Sequence, residues 1–415
     1  MTSPSRILLS AATLALFAST ALADDEAQWF KGNTHTHSLW SDGNDFPEMI
    51  TSWYKEKGYD FMALTDHNIL AEGDKWMALD AIAKRQRAIG RSAMDKYVAK
   101  FGKDWVETRE TTEGAKEVRL KTLEEYRKGL EESGKFLIIQ AEEISNSAGG
   151  KPIHINAINV TEVIPAIKAT DASEVSEVIR KTALAVAEHE KKSGRPILAH
   201  LNHPNFQWAI TAEELASVAE MGYFEIYNGH PGINHLGDEN RPGDERIWDI
   251  ANTIRLAEID KAPLLGVATD DSHTYHGGDV SPGRGWVMVR SQKLEANALV
   301  EAMKAGDFYA SSGVILDEVT WDEKSRTLSL KIQPAEGATY TTEFIGTRKG
   351  YDATKTASEN GIGEVFATQT GTEVSLVIPE DALFLRATVT SSVGHENPSF
   401  PEQKKQAWTQ PVGWR

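Results

Sequence analysis

Short apolar runs recur along the chain, and helix-like stretches separate most of them. The runs at 29–33, 59–64, 136–139, 196–199, 224–227, 264–268 and 286–289 read as strands, and 153–160 alternates apolar with polar residues. Residues 46–57 carry Met49, Ile50, Trp53 and Tyr54 at helical spacing and stop at Gly58, a residue suited to a helix end. Further helices are predicted at 172–192, 242–259 and 295–305. Residues 72–133 are charged, with apolar positions three and four apart, and predict an inserted helical segment that could cap a site. Alternating strands and helices predict an α/β fold, a parallel barrel whose chemistry lies at the C-terminal ends of its strands.

From 311 the texture changes. Runs at 319–321, 327–332, 340–345, 372–378 and 384–390 are β-rich and separated by Gly, Pro and Asn turns. They predict a small antiparallel β domain, sandwich-like, over 311–415, with 24–310 as the α/β domain. The C-terminal part holds no acid–histidine cluster, and packing against the first domain is its expected work.

The residues that end the strands carry the candidate chemistry. His35 and His37, one residue apart, share one side of an extended backbone. Asp42 precedes Gly43 in a predicted turn that folds its carboxylate back toward the pair. Later strand ends bring Asp66 and His67, Glu142 and Glu143, His154, His200 and His203, and Asp270, Asp271 and His273. Imidazoles and carboxylates gathered on one rim suit Zn²⁺, Mn²⁺ or Fe²⁺. Neither Glu142 nor Glu143, and neither His200 nor His203, is singled out by position alone. His230, His235, Tyr275 and His276 are expected on the rim, and His189 and His395 at the surface.

Composition narrows the compartment and the partners. Arg6, the apolar run 7–17 and Ala21-Leu22-Ala23 predict a signal peptide over 1–23, hence a periplasmic or secreted product with no membrane insertion after cleavage. With 44 Lys and Arg against 61 Asp and Glu the formal charge is -17. No basic run offsets it, which argues against a nucleic-acid partner. Cysteine is absent, so no disulfide forms and any metal is held by His, Asp and Glu.

Taken together, His35-Thr36-His37 with Ser41-Asp42-Gly43, Thr65-Asp66-His67, the acids before Ile144, His154, His203-Pro204 and Asp271-Ser272-His273 resemble the PHP (polymerase and histidinol phosphatase) family. The Tyr227-Asn228-Gly229 turn and the final Ala407–Pro411 stretch resemble its exported, carbaryl-hydrolase-like branch. The resemblance implies a distorted β/α barrel and two or three divalent cations. One would be held by His35, His37, Glu143 and Asp271, a second by Glu143, His154 and His203, and a third by Asp42, His67 and His273. It selects Glu143 over Glu142 and His203 over His200. Asp66 would be a ligand or an acceptor that holds an imidazole.

Cations about 3.5–4 Å apart acidify a bridging water into a hydroxide nucleophile and clamp a phosphoryl group. The expected activity is therefore hydrolysis of a small-molecule ester, first of all a phosphoester. Carboxyl esters, carbamates or amides are the alternative, and a metal-containing binding protein without turnover is a third reading. Arg284, between Gly283 and Gly285, is expected either to grip phosphate or to be an ordinary turn residue. No Gly-x-Ser-x-Gly elbow is present, so a serine nucleophile is not expected.

Overall fold

The computed structural model describes residues 26–86 and 92–414, so the expected signal segment lies outside the described residues. The strand Gln28–Asn33 pairs in parallel with Phe61–Leu64, and that strand in parallel with Leu137–Ala148. Gly32 makes the first pairing possible: a Cβ there would lie 2.1 Å from Cζ of Phe61. Leu137–Ala148 then turns through Gly149 and Gly150 into the antiparallel strand Lys151–Ile158. Leu198–Leu201 runs antiparallel to Lys151–Ile158, and Tyr223–Asn228 and Leu265–Thr269 follow in parallel.

Beyond the last strand the two ends of this path meet. Asp271 N–H donates to His35 O (2.9 Å) and His37 N–H to Ser272 O (3.0 Å). Thr36 and Ser272 form an isolated parallel bridge, as do His67 and Glu143. The ligand-bearing backbones are thereby locked side by side. Helices Val175–Ser193, Asp244–Ala257 and Ala296–Ala305 pack over the apolar faces of these strands, and Pro47–Glu56 over the start of the sheet. The result is a mixed α/β fold with one large sheet.

Three expectations differ from what forms. The pairing is not uniformly parallel: Lys151–Ile158 runs antiparallel on both edges, and Trp286–Ser291 antiparallel to Gln28–Asn33. The stretch 72–133 is not simply helical. Between and around its helices, Lys75–Ala78, Lys116–Leu120 and Thr108–Glu110 make a three-stranded antiparallel sheet. These strands are short and charged, with exposed faces, so they lack the apolar runs that mark buried strands.

The C-terminal residues, thirdly, extend the main sheet. Phe308–Ser311 pairs with Lys404–Trp408, which continues through Ala382–Gly394 and Tyr340–Arg348 to Glu364–Thr370. Only Leu316–Asp322, Thr327–Ile332 and Glu373–Val377 form a sheet of their own. Leu328, Leu330 and Leu385 share a hydrophobic cluster with Ile50, Tyr54 and Met62, so the core crosses the expected boundary at 310/311. Among the described residues no helix is long and apolar enough to cross a membrane.

A buried ion pair fastens the C-terminal strands to the helix beneath them. Arg386 donates from Nε and Nη2 to the two oxygens of Asp249 (both 2.8 Å) and from Nη1 to Glu245 (3.0 Å). Removing the guanidinium leaves Asp249 buried without its partner. Arg386→Ala is expected to cost about 3–5 kcal/mol of stability, read as the shift of the urea unfolding midpoint.

Candidate metal centre

Glu143 lies at the middle of the rim and is fully buried. Five imidazoles reach its carboxylate: His67 Nδ1 at 2.7 Å, His154 Nδ1 at 3.0 Å, His35 Nε2 at 3.3 Å, His37 Nε2 at 3.4 Å and His203 Nε2 at 3.5 Å. Asp271 faces it from the opposite strand end, its Oδ1 3.2 Å from Nε2 of both His35 and His37. Those two nitrogens are themselves 3.2 Å apart. Asp42, half exposed, lies 3.4 Å from His67 Nε2, 3.5 Å from His273 Nε2 and 3.7 Å from His37 Nδ1. Gly43 permits that approach, because a Cβ there would fall 2.4 Å from His37 O.

Seven of the candidate donors fall into three overlapping sets: His35, His37 and Glu143; His67, Glu143 and His154; and His37, Asp42, His67 and His273, each set within 4.8 Å, while Asp271 and His203 flank the sets without joining one. The grouping differs in detail from the one the resemblance implies. His67 serves two sets, and His37 faces Asp271 with one nitrogen and Asp42 with the other. Nitrogen and carboxylate lone pairs aimed at shared points fit divalent cations. His37 Nδ1 is buried with no hydrogen-bond partner, as expected of an atom that needs an ion.

Electrostatics agrees with that demand for positive charge. Burial opposes ionisation of Glu143 and Asp271, yet the surrounding imidazoles hold both well below the carboxylate range. Burial also lowers the His67 pKa, but Glu143 and Asp42 outweigh it and lift it to about 11. His37 goes the other way: burial first, then repulsion from His273 and His67, bring it to about 4. Strain collects here as well. Asp271 and His203 both adopt positive φ, 47° and 27°, a conformation costly for residues with a Cβ.

The paired candidates separate by orientation. Glu142 turns away: its Oε1 accepts from Ile164 N–H (2.5 Å), and burial raises its pKa to about 7. His200 is buried behind His35, ring centroids 6.5 Å apart, and burial lowers its pKa to about 4. The three donor sets include neither His200 nor His203, but His203 alone reaches Glu143, its Nε2 3.5 Å from the carboxylate.

Two expected site residues are placed elsewhere. Asp66 holds no imidazole. It accepts from Ser38 N–H and Oγ–H (2.8 and 2.6 Å) and from Ser41 N–H and Oγ–H (3.0 and 2.6 Å), so it shapes the turn that delivers Asp42. Arg284 does not line the cavity. Its guanidinium donates to Gly229 O (2.9 Å), Asp279 O, Asn397 O (3.0 Å) and Asn397 Oδ1 (3.1 Å). A fork spent on loop carbonyls has little left for phosphate, so this arginine is a clamp.

The other histidines are also packed. His189 and His395, expected at the surface, are buried, with Nε2 of His189 accepting from Thr161 N–H (3.0 Å) and Nδ1 of His395 from Asn397 N–H (3.0 Å). His235 bridges Asp244 (2.7 Å) and Asn228 O (2.5 Å). Tyr275 and His276 anchor backbone near the site, through His37 O (2.8 Å) and Asn44 O (3.1 Å) respectively.

Sequence reasoning missed Glu225. It lies in the strand Tyr223–Asn228, fully buried, and its Oε1 accepts from His35 Nδ1 (2.6 Å) and Thr269 Oγ (2.7 Å). Its Oε2 takes His203 N–H and Asn228 Nδ2–H, both at 2.8 Å. A carboxylate on Nδ1 fixes that proton and leaves Nε2 facing Glu143 and Asp271. The available signal was a lone acid amid apolar strand residues.

The centre opens into a cavity of ≈ 670 Å³. One wall holds the candidate donors Asp42, His67, Glu143, His154, His203, Asp271 and His273; Phe206, His230 and Ile233 form another part, and Lys84 and Arg85 reach it from the inserted segment.

No protein-family model matches the sequence, and no curated protein does. Among solved structures, a two-domain protein from Bacteroides vulgatus, described as containing a predicted PHP-like metal-dependent phosphoesterase, is similar over 93% of this chain and 96% of its own, at 15% identity and a TM-score of 0.39. A candidate metal-dependent phosphoesterase from Bifidobacterium adolescentis aligns over 59% of this chain and 88% of its own (11% identity, TM-score 0.30). An amidohydrolase from Chromobacterium violaceum, solved with sulfate and no metal, aligns over 59% and 87% (12% identity, TM-score 0.29). At such scores the likeness bears no functional weight, which rests on the side chains.

Glu225→Gln keeps the shape but weakens the acceptor, and is expected to lower metal affinity about 10–100-fold, measured by competition with a chromophoric chelator. His67 must lose its proton to ligate, so metal uptake near pH 7 is expected to release protons and to tighten as pH rises. Calorimetry in buffers of different ionisation enthalpy checks this. In the metal-free protein the same raised pKa contributes stability that is full below pH 6.5 and is lost as pH climbs through about 11.

Proposed function

We propose that this protein is a metal-dependent hydrolase of small-molecule phosphoesters. The observation that carries the reading is the convergence of His35, His37, Glu143 and Asp271 from separate strand ends on one point, with 3.2 Å between the two imidazole nitrogens and from each to Asp271. The bed that supports them is read as a distorted barrel, because its first and last strands are joined by the Asp271–His35 and His37–Ser272 backbone bonds.

Two or three divalent cations, Zn²⁺, Mn²⁺ or Fe²⁺, would be held by the nine residues His35, His37, Asp42, His67, Glu143, His154, His203, Asp271 and His273. Such cations supply Lewis acidity toward a substrate oxygen and acidify water. The chain's own part is orientation and exclusion of solvent. Glu225 holds the His35 tautomer, Asp66 holds the Asp42 turn, and Asp270 accepts from the backbones of 283–285 (2.9, 2.6 and 2.9 Å) to set the loop after the last cluster. Lys84 and Arg85, exposed and without an ion-pair partner among the described residues, favour an anionic ester over a neutral one.

The expected signal peptide supports an exported, periplasmic or secreted enzyme, and the net charge of -17 speaks against nucleic acid as substrate. Hydrolysis of carboxyl esters, carbamates or amides is the second reading, favoured by a donor set that is not specific to phosphorus.

The test is nitrophenol release from phosphomonoesters, phosphodiesters and carboxyl or carbamoyl esters, with Mn²⁺ or Zn²⁺ added or chelated. Metal-dependent turnover of phosphoesters is expected. Turnover of acyl or carbamoyl esters alone would move the assignment to the second reading, and silence throughout would leave a binding protein. Asp271→Ala is expected to abolish turnover and lower bound metal by elemental analysis; full activity with full metal content would remove Asp271 from the centre.

A further inference from the structure

His230 lines the same cavity as the metal centre yet belongs to none of the three convergent donor sets. Its position is rigidly tied to them. The His230 N–H donates to Asn228 Oδ1 (2.8 Å), and the amide of that Asn228 donates to Glu225 Oε2 (2.8 Å) and Asp271 Oδ2 (3.1 Å). One side chain thus links the His230 backbone to a candidate ligand and to the carboxylate that orients His35.

The ring is set as well. His230 Nδ1 accepts from Gly232 N–H (2.9 Å). A nitrogen that accepts a hydrogen bond carries its lone pair, so in the neutral ring the proton is on Nε2. Gly232 allows the close approach, since a Cβ there would lie 2.9 Å from both Nδ1 and Cε1. The ring meets His273 edge-on at 5.8 Å and Phe206 at 6.2 Å between centroids. Among the described residues no protein atom accepts the Nε2–H. A fixed donor on the wall of a catalytic cavity, with its inner nitrogen occupied and its outer one free, is what a developing oxyanion requires.

Resting on the hydrolase reading above, we propose that His230 is a catalytic residue that touches substrate, donating its Nε2–H to the leaving-group oxygen. The nine ligand residues face the attacked centre, and His230 stands outside their set, where the departing group has room. No proton is transferred. The oxygen of a hydroxide forms the new bond to phosphorus, the ester bond breaks with its electron pair on the leaving oxygen, and the hydrogen bond from His230 stabilises that charge until solvent protonates it.

The test is a series of aryl phosphoesters of increasing leaving-group pKa, with His230→Ala, His230→Gln and wild type, each metal-loaded. His230→Ala is expected to lose about 10²-fold in kcat on poor leaving groups and much less on nitrophenol, with metal content unchanged. His230→Gln, whose amide can donate, should recover part of the loss. Gly232→Ala, which displaces the ring, should resemble His230→Ala. A loss equal across all leaving groups, no loss, or a parallel loss of metal would overturn the proposal. Wild type silent on every ester would instead end the hydrolase reading. The donor role retains its own check: ¹⁵N-histidine spectra of the metal-loaded protein should report the Nε2–H tautomer of His230 and a shift of Nε2 on adding inorganic phosphate. The Nδ1–H tautomer, or an unmoved Nε2, would refute it.

Discussion

A carboxylate with no exposure to water, ringed by five imidazoles, is the constraint on which the rest of the structure depends. Burying Glu143 is costly unless positive charge compensates it. The chain supplies that charge only through imidazoles, and a protonated one such as His67 must give up its proton before it can hold a cation. Everything around Glu143 is arranged to hold those rings where a cation could replace the protons. Where they converge, four strand ends meet in two isolated bridges, and Asp271 and His203 adopt positive φ.

The support around that centre is polar, buried and satisfied, which is why it is precise. Asp66, Glu225 and Asp270 each accept four hydrogen bonds from backbone or side-chain donors. Each removes freedom from one loop: the turn before Asp42, the plane of His35, and the segment 283–285. Arg284 and Asn397 carry that restraint to the C-terminal strands. The loops of the centre are therefore held from below by acids and from the side by a part of the chain with no ligand of its own.

Much of this was legible in the sequence where local chemistry and burial agree. Buried parallel strands such as Phe61–Leu64 and Leu265–Thr269 are continuous apolar runs, and their ends are marked by residues that apolar strands rarely carry. The turn at Gly43 was likewise readable, since the Asp-Gly pair signals it. What could not be read depends on tertiary context. Lys75–Ala78 and Thr108–Glu110 are strands because Lys116–Leu120 lies between them, not because of their composition. Arg284 between two glycines has the composition of an anion-binding turn, and only the folded loop shows that four oxygens already occupy it. Glu225 hid inside a strand, where spacing gives no hint that it meets His35 from 190 positions away.

The unbroken sheet has a consequence for how the chain is made. The strand Phe308–Ser311 gets its second neighbour from Lys404–Trp408, a strand far from it along the chain. Until that distant strand docks, a row of amides and carbonyls on Phe308–Ser311 is bare, a template for sticking to another molecule. A shortened product would thus lose more than an appendage: it would expose an adhesive margin next to an incomplete core. For this protein, solubility and completion of the large sheet depend on the same long-range pairing.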